Sequence, residues 1–559
     1  MIAKTPTTLN ITTISNEFKY EMLIHKSINQ LLFYMLLVLV ITLNSCTKKQ
    51  KQFSQNEVFR YNEHSNISSL DPAFAKNQAN IWAVNQLFNG LVELDENLKV
   101  TPSIAKSWKI LNEGKTYEFT LRKDVFFHKH KLFGKDSTRN VTANDFEYSF
   151  NRLTSPELAA PGAWVMQNVA NFKAQNDSTF VINLKQSFPP FLGLLAMKYC
   201  AVVPKEIVAF YGSDFRANPI GTGPFKFKLW VENTKMVFRK NEMYFESNNA
   251  EKLPYLEAVA ITFLPDKQSE FLQFIQGNID FLNSIDPSYK DDILSTKGEI
   301  NERYATKINM IKSPFLNTEY LGIFMKGESS LANSKLLRQA VNYGFDRKKM
   351  IQYLRNNIGI PAVNGFIPKG LPSFKEIEYY TYNPALAKSL VNEFKQTNPN
   401  VNPVIVISTN SQYVDLCEYI QRELENVGLT VEIDVIPPST LRQSKANGKL
   451  SVFRASWIAD YPDAENYLSL FYSKNFAPNG PNYTHFSNDL FDKWYEKSIQ
   501  ITTDSLRYNL YQKMDSLIMD EAVIVPLYYD EAVRFTQKNI EGLGVNAINI
   551  LDLKRVKKN

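Results

Sequence analysis

Hydrophobic and polar positions repeat in two periods along this 559-residue chain, and the two alternate. A period of two marks half-buried strands, and spacings of three and four mark helices. Val58-Phe59-Arg60-Tyr61 and Tyr117-Glu118-Phe119-Thr120-Leu121 read as strands. Ile81, Val84, Leu87, Phe88 and Leu91 share one helical face and predict a helix over 80–91. Thr142 as N-cap and Asp145 in the first turn open a helix through Phe150. The turn Pro219-Ile220-Gly221-Thr222-Gly223-Pro224-Phe225 feeds a strand through Trp230. A strand over 259–264 precedes a short helix, 270–277, with a glycine stop. Residues 320–325 form a strand, and 335–354 a long amphipathic helix broken near Gly344-Phe345-Asp346. Strands at 404–408 and 429–436 flank a helix over 412–427, an order that predicts a locally parallel sheet. Helices over 490–501 and 504–519 lead into an apolar strand, 523–529. There is no internal repeat and no long linker. The pattern predicts interleaved α/β domains.

The first 56 residues follow a different pattern. Lys19 and Lys26 precede an apolar run over 31–43, and the chain turns polar at Thr47-Lys48-Lys49-Gln50. The run is shorter than the roughly 20 residues a membrane span needs. A basic head, a short apolar core and a small residue before a cut make an export signal, with Met22 an alternative start. Leu43 three before Cys46, and Ser45 just before it, resemble a bacterial lipobox. That resemblance implies cleavage after Ser45 and a diacylglycerol thioether on Cys46. Residues 1–45 are then the signal peptide and 46–56 the lipidated cysteine and its tether. Stable anchoring takes two lipid signals, which a diacylglyceryl group supplies.

The chain beyond the signal is long enough for two or three domains. Its charge is modest: the full chain is +6, and the net +1 before Cys46 leaves +5, thinly spread. Without a basic block beyond the tether and the last residues, nucleic acid is a poor partner. Cys200 and Cys417 are far apart in sequence and read as buried free thiols.

Catalytic signatures are missing. The chain has no G-x-S-x-G and no H-E-x-x-H, and Gly221-Thr222-Gly223 lacks the third glycine of a dinucleotide fingerprint. His128-Lys129-His130 would share a face on a strand, but two imidazoles make a weak metal site, and they read as solvated loop residues. The densest chemistry is Arg454-Ala455-Ser456-Trp457-Ile458-Ala459-Asp460-Tyr461-Pro462-Asp463-Ala464-Glu465-Asn466-Tyr467. An apolar strand there runs into a turn pinned by Pro462. In one reading Asp460 and Asp463 only shape the turn, and Asp463 starts a helix through Leu470. In another, a carboxylate faces a cleft walled by Trp457 and Tyr461 and binds a ligand cation. An acid/base pair is a third, weaker reading.

Several segments together resemble the solute-binding proteins of oligopeptide and dipeptide ABC importers. They are Leu70-Asp71-Pro72-Ala73, Asn85-Gln86-Leu87-Phe88-Asn89-Gly90-Leu91, Pro102-Ser103-Ile104-Ala105-Lys106-Ser107-Trp108 and Val125-Phe126-Phe127-His128. Thr142-Ala143-Asn144-Asp145, the 219–225 turn, Arg338-Gln339-Ala340, Asp346-Arg347 and 457–463 continue the series. Each is weak alone; their order and number are specific. The glycine usually found soon after the histidine is delayed to Gly134, which enlarges that loop.

The resemblance implies an α/β periplasmic-binding-protein-like clamshell of two hinged lobes, with an extra domain inserted in the first. Lobe I is expected at 57–98, 220–312 and 520–559, the inserted domain at 99–219, and lobe II at 313–519. By carry-over, Asp460 pairs with the α-ammonium of a short peptide, with Asp463, Trp457 and Tyr461 secondary. The implied protein is a monomeric, non-catalytic receptor without cofactor or metal, held to a membrane by its lipid. It faces the periplasm or the outer face of a single-membrane cell and hands solute to an ABC permease and its ATPase. The resemblance also admits other solutes, as relatives bind oligosaccharides, nickel chelates, haem or opines, and the carboxylates Asp460 and Asp463 leave an exported lipoprotein hydrolase as the weaker alternative.

Mass spectrometry of the membrane-extracted protein should find Cys46 as the first residue, carrying the diacylglyceryl mass. Cys46→Ser should abolish that mass. An unmodified or uncut terminus in the unsubstituted protein rejects the lipobox reading.

Overall fold

The computed structural model describes residues 57–284 and 289–559. The export signal, Cys46 and most of the tether lie outside these residues. The chain opens with β1 (Val58–Asn62) and α1 (Gln78–Leu87). A small antiparallel sheet follows, made of β2 (Ala105–Leu111), β3 (Thr116–Leu121), β4 (Val169–Asn176) and β5 (Thr179–Leu184), with α2 (Ala143–Thr154) packed on it. Next come β6 (Phe225–Val231), β7 (Lys235–Lys240), β8 (Ala258–Thr262), β9 (Phe281–Asn283) and the long β10 (Ile308–Ile323). The last part holds β11 (Val404–Thr409), α3 (Val414–Asn426), β12 (Thr430–Val435), β13 (Val452–Ile458), α4 (Glu465–Leu468), α5 (Asp489–Ser498), α6 (Asp504–Asp520) and the long β14 (Ile524–Gln537).

One large mixed sheet runs β12-β11-β13-β10-β14-β9-β1-β8-β7-β6. β1 and β8 pair in parallel although 200 residues separate Val58 from Ala258. β10 and β14 are antiparallel partners, and each serves both halves of the sheet. At one end Phe281 to Asn283 of β9 pair with Arg534 to Thr536 of β14. At the other, Asn317 to Ile323 of β10 pair with β13. Their register slips between Pro314 and Thr318. Pro314 has no N–H to give a ladder, and the Leu316 N–H goes instead to the Ala547 carbonyl, at 2.7 Å. The expected division at 312/313 falls inside β10, and the one at 519/520 at the end of α6. Continuous strands therefore join the two halves.

Separate cores fill the halves. Phe59, Tyr61, Trp82, Phe238, Ile261 and Phe281 pack under β1 and its neighbours. Phe119, Phe146, Phe150, Phe180 and Ile182 fill the small sheet, and Tyr461 from the distant turn joins them. Leu321, Val341, Ile407, Ile420, Leu424 and Val431 lie beneath the β10–β13 half. Cys200 and Cys417 are free and buried.

Most predicted elements are present, with instructive differences. The helix predicted to Leu91 stops at Leu87, because Phe88 turns extended. The Gly223 N–H takes the Leu87 carbonyl at 2.9 Å, so the chain leaves the helix to clasp the 219–225 turn. A Cβ at Gly221 or Gly223 would strike the Leu87 backbone, which is why the turn carries glycines there. The strands predicted over 320–325 and 523–529 belong to β10 and β14, which are far longer; half-buried polar residues in their remainder hide the alternation. The α2 start is as read: Thr142 and Asp145 form a capping box. Asp145 also binds Arg139 at 2.7 Å.

His128 is not the solvated loop residue expected. It is 3 % exposed. Its Nδ1 accepts the Gly221 N–H at 3.3 Å, and its Nε2 lies 3.0 Å from the Gly223 carbonyl, to which it donates as the neutral ring. His130 is half-buried, with Nε2 3.1 Å from the Tyr211 hydroxyl. The histidine thus locks the glycine turn to the enlarged loop, a long-range bond that no local pattern encodes.

Burial pushes the His128 imidazole from 6.5 down to about 4. The unfolded state then binds the extra proton first. Stability contributed by the neutral ring is full above about pH 6.5 and is lost as pH falls toward 4, by about 3 kcal/mol in total. Denaturant midpoints at pH 7 and pH 5 should show a smaller acid loss in His128→Gln than in the unsubstituted protein. Equal losses would reject this role.

Candidate functional site

β13 buries Val452 to Ala455 and then surfaces: Ile458 is 53 % exposed at its end. The chain turns as the Ala459 N–H bonds the Leu316 carbonyl at 2.9 Å. Buried Asn466, at the start of α4, holds this turn from behind. Its Oδ1 accepts the Trp457 indole N–H at 2.9 Å and the Asp460 N–H at 3.2 Å. One amide oxygen therefore sets both the indole plane and the direction of the Asp460 backbone. Asn466 was missed as a positioning residue, although an asparagine just inside a helix after an aspartate turn is a usable signal.

The Asp460 side chain is open to water but stands in a crowded recess. Surrounding protein raises its pKa by desolvation, opposed by a hydrogen bond from Asn466. Among the described residues, no cation forms an ion pair with it. Tyr467, behind it, and Tyr199, from the segment next to the small sheet, both sense its charge after their own desolvation. The carboxylate thus sits between Tyr467 of its own turn and Tyr199 beside the small sheet.

The other expected site residues divide differently. Tyr461 is buried, with its ring edge-on to Phe188 at 6.3 Å. Pro462 and Tyr461 lie over Gly193, where an added Cβ would make ordinary contacts at 3.5 and 3.9 Å. Tyr461 closes the contact between the parts, and its hydroxyl donates to Glu465. Trp457 is half-buried and tied to Asn466. Asp463 is buried and fully engaged. One oxygen caps the Glu465 N–H at 2.9 Å, and the other pairs with Arg507 at 3.1 Å. Desolvation raises its pKa and Arg507 opposes the rise. Asp463 shapes the turn, and its charge is already paired with Arg507.

A second buried ion pair underlies the site. Arg454 of β13 binds Glu319 of β10, and its guanidinium lies over the Tyr413 ring at 3.2 Å. Asn317 donates to Glu319 at 3.1 Å and toward Asp530 of β14 at 3.4 Å. Charges from three strands thus meet beside the register slip.

The model of the bacterial extracellular solute-binding proteins, family 5 Middle, matches residues 99–479. The glutathione-binding protein GsiB of Salmonella choleraesuis is 23 % identical over 488 residues, covering 86 % of this chain and 90 % of GsiB. The dipeptide-binding protein DppE of Bacillus subtilis is 22 % identical over 539 residues, covering 90 % of this chain and 93 % of DppE. Among solved structures, the periplasmic binding protein DppA of Helicobacter pylori, in complex with the peptide STSA, superimposes with a TM-score of 0.70. It is 23 % identical and covers 90 % of this chain and 98 % of its own.

The two aspartates should respond oppositely to substitution. Arg507→Met strands the Asp463 carboxylate in the interior and should cost about 3–5 kcal/mol in denaturant unfolding. Asp460→Asn removes a crowded, cation-free charge and should leave the ligand-free melting temperature unchanged or raised. A large loss on Asp460→Asn would mean that Asp460 is structural.

Proposed function

The chain belongs to the bacterial extracellular solute-binding proteins, family 5, and we propose that it captures short peptides by pairing Asp460 with their α-ammonium group. Proteins of this family are binding components of ABC importers that work outside the cytoplasm; they are not enzymes. In our reading Cys46 anchors the protein to the membrane. The captured peptide passes to a permease and its ATPase, and the body acts as a monomer. Lobe I (57–98, 220–312 and 520–559) and its inserted domain (99–219) close on lobe II (313–519) about the paired β10 and β14.

The observation that carries this reading is the state of Asp460. A carboxylate that is open to water, crowded by protein and without a cation is poised for a cationic ligand. Asp463, by contrast, already has Arg507. Trp457 is held at the same turn, its indole N–H on the Asn466 oxygen that also takes the Asp460 N–H. An extended peptide is suited to such a cleft because its backbone can be held like an added strand while its side chains enter hydrated pockets. The dipeptide- and glutathione-binding relatives bind solutes with a free amino group, which agrees with a carboxylate at this place.

Calorimetry on a mixed set of unblocked tri- and tetrapeptides tests it. Asp460→Asn should weaken binding by about 2–5 kcal/mol, and N-acetylation of the best peptide should cost as much. Affinity unchanged by both would overturn the assignment.

A further inference from the structure

A buried carboxylate in the same turn, Glu465, borders a cavity. Glu465, 5 % exposed, opens the short helix α4. One of its oxygens accepts the Tyr461 hydroxyl and the other the Tyr495 hydroxyl of α5. Among the described residues no ion pair reaches it. Its charge is opposed by desolvation and by Asp463, and favoured only by the two phenols. Each oxygen keeps acceptor capacity beyond its one phenol.

The cavity beside it measures about 460 Å³, within the range of small-molecule sites. Gln186 and Phe188, which follow β5, form one wall; Glu465, Tyr472, Tyr495 and Glu496 form the other. Tyr472 and Tyr495 stack on each other at 4.5 Å, and the Lys474 ammonium lies 5.7 Å from the centre of the Tyr472 ring. Lys474 also borders the space, but its ammonium is at the exposed rim, bound to Glu496 at 2.7 Å. The walls thus combine a desolvated carboxylate, a second carboxylate and aromatic rings, a composition that favours a cation.

We propose that this cavity is a subsite for a guanidinium or ammonium group on the captured solute, with Glu465 as its charge partner. Where the solute is a peptide, the group is a basic side chain; this deepens the peptide reading and rests on it only for that identity. Tyr461 connects the two sites. It follows Asp460 directly and gives its hydroxyl to Glu465, so one turn presents two cation acceptors. The walls come from both sides of the Tyr461–Phe188 contact, so a solute seated here would also bridge the two parts.

The test compares alanine tripeptides carrying arginine, or neutral citrulline, at each position in turn, by calorimetry on the full-length protein in detergent. At one position arginine should bind about tenfold tighter than citrulline, as a desolvated charge pair warrants. Glu465→Gln should bring that ratio close to one. Should Glu465→Gln not fold, Gln186→Lys, which sets a cation on the exposed opposite wall, should erase the same preference. A ratio near one at every position overturns the proposal, as does a preference that survives both substitutions. If no unblocked peptide binds, the peptide reading fails by itself. The cavity is then judged with n-butylguanidinium against neutral n-butylurea: binding of the cation, lost in the variants, supports the subsite, and no difference overturns it.

Discussion

The pairing of β10 with β14 carries the rest of the structure. These two strands are the only long ones in the described sheet that serve both halves, β9 joining at one end and β13 at the other. Backbone hydrogen bonds run along both ends and slip between Pro314 and Thr318. Ladder segments resist bending, whereas a proline-interrupted slip leaves backbone groups to other partners, as Leu316 finds Ala547. Two stiff halves linked at an irregular crossing is the arrangement a hinged receptor needs. The Arg454–Glu319 pair and Asn317 sit beside that crossing.

Charge placement around the 457–467 turn separates architecture from recognition. Asp463 has a guanidinium and a helix N–H, and both oxygens are used. Asp460 and Glu465 have only neutral hydrogen-bond partners, and desolvation raises the pKa of each. Burying a carboxylate without a cation is costly. Of the two only Glu465 is buried, and its charge is opposed by desolvation and by Asp463. The aromatic contacts at the same turn serve closure: Tyr461 packs into the core of the small sheet and reaches Glu465 with its hydroxyl.

Local signals were legible wherever one element satisfies itself. The Thr142–Asp145 capping box, the break between Tyr343 and Arg347, and the parallel β11–α3–β12 unit all follow from spacing and capping chemistry. The ends of β10 and β14 were not legible, because their outer portions mix polar and half-buried residues that only partner strands order. His128 was misread for a similar reason: its partners, Gly221 and Gly223, lie more than 90 residues away. At the site, the residues alone pointed to Asp460, Asp463, Trp457 and Tyr461 as a group, and the family resemblance put Asp460 first. Asn466 and Glu465 were overlooked because their roles depend on which neighbours face them.

By itself, then, the sequence determined the alternation of strands and helices, the glycine turn at 219–225, the lack of catalytic signatures and the turn that carries the acidic residues. These depend on spacing, capping and residue chemistry, which act over a few positions. Tertiary structure alone decided which carboxylate keeps a counter-ion. Asp463 and Asp460 are three residues apart in one turn, yet Arg507 reaches the first from α6 while no cation reaches the second. That difference arises from long-range packing, and it separates a structural aspartate from a candidate ligand anchor.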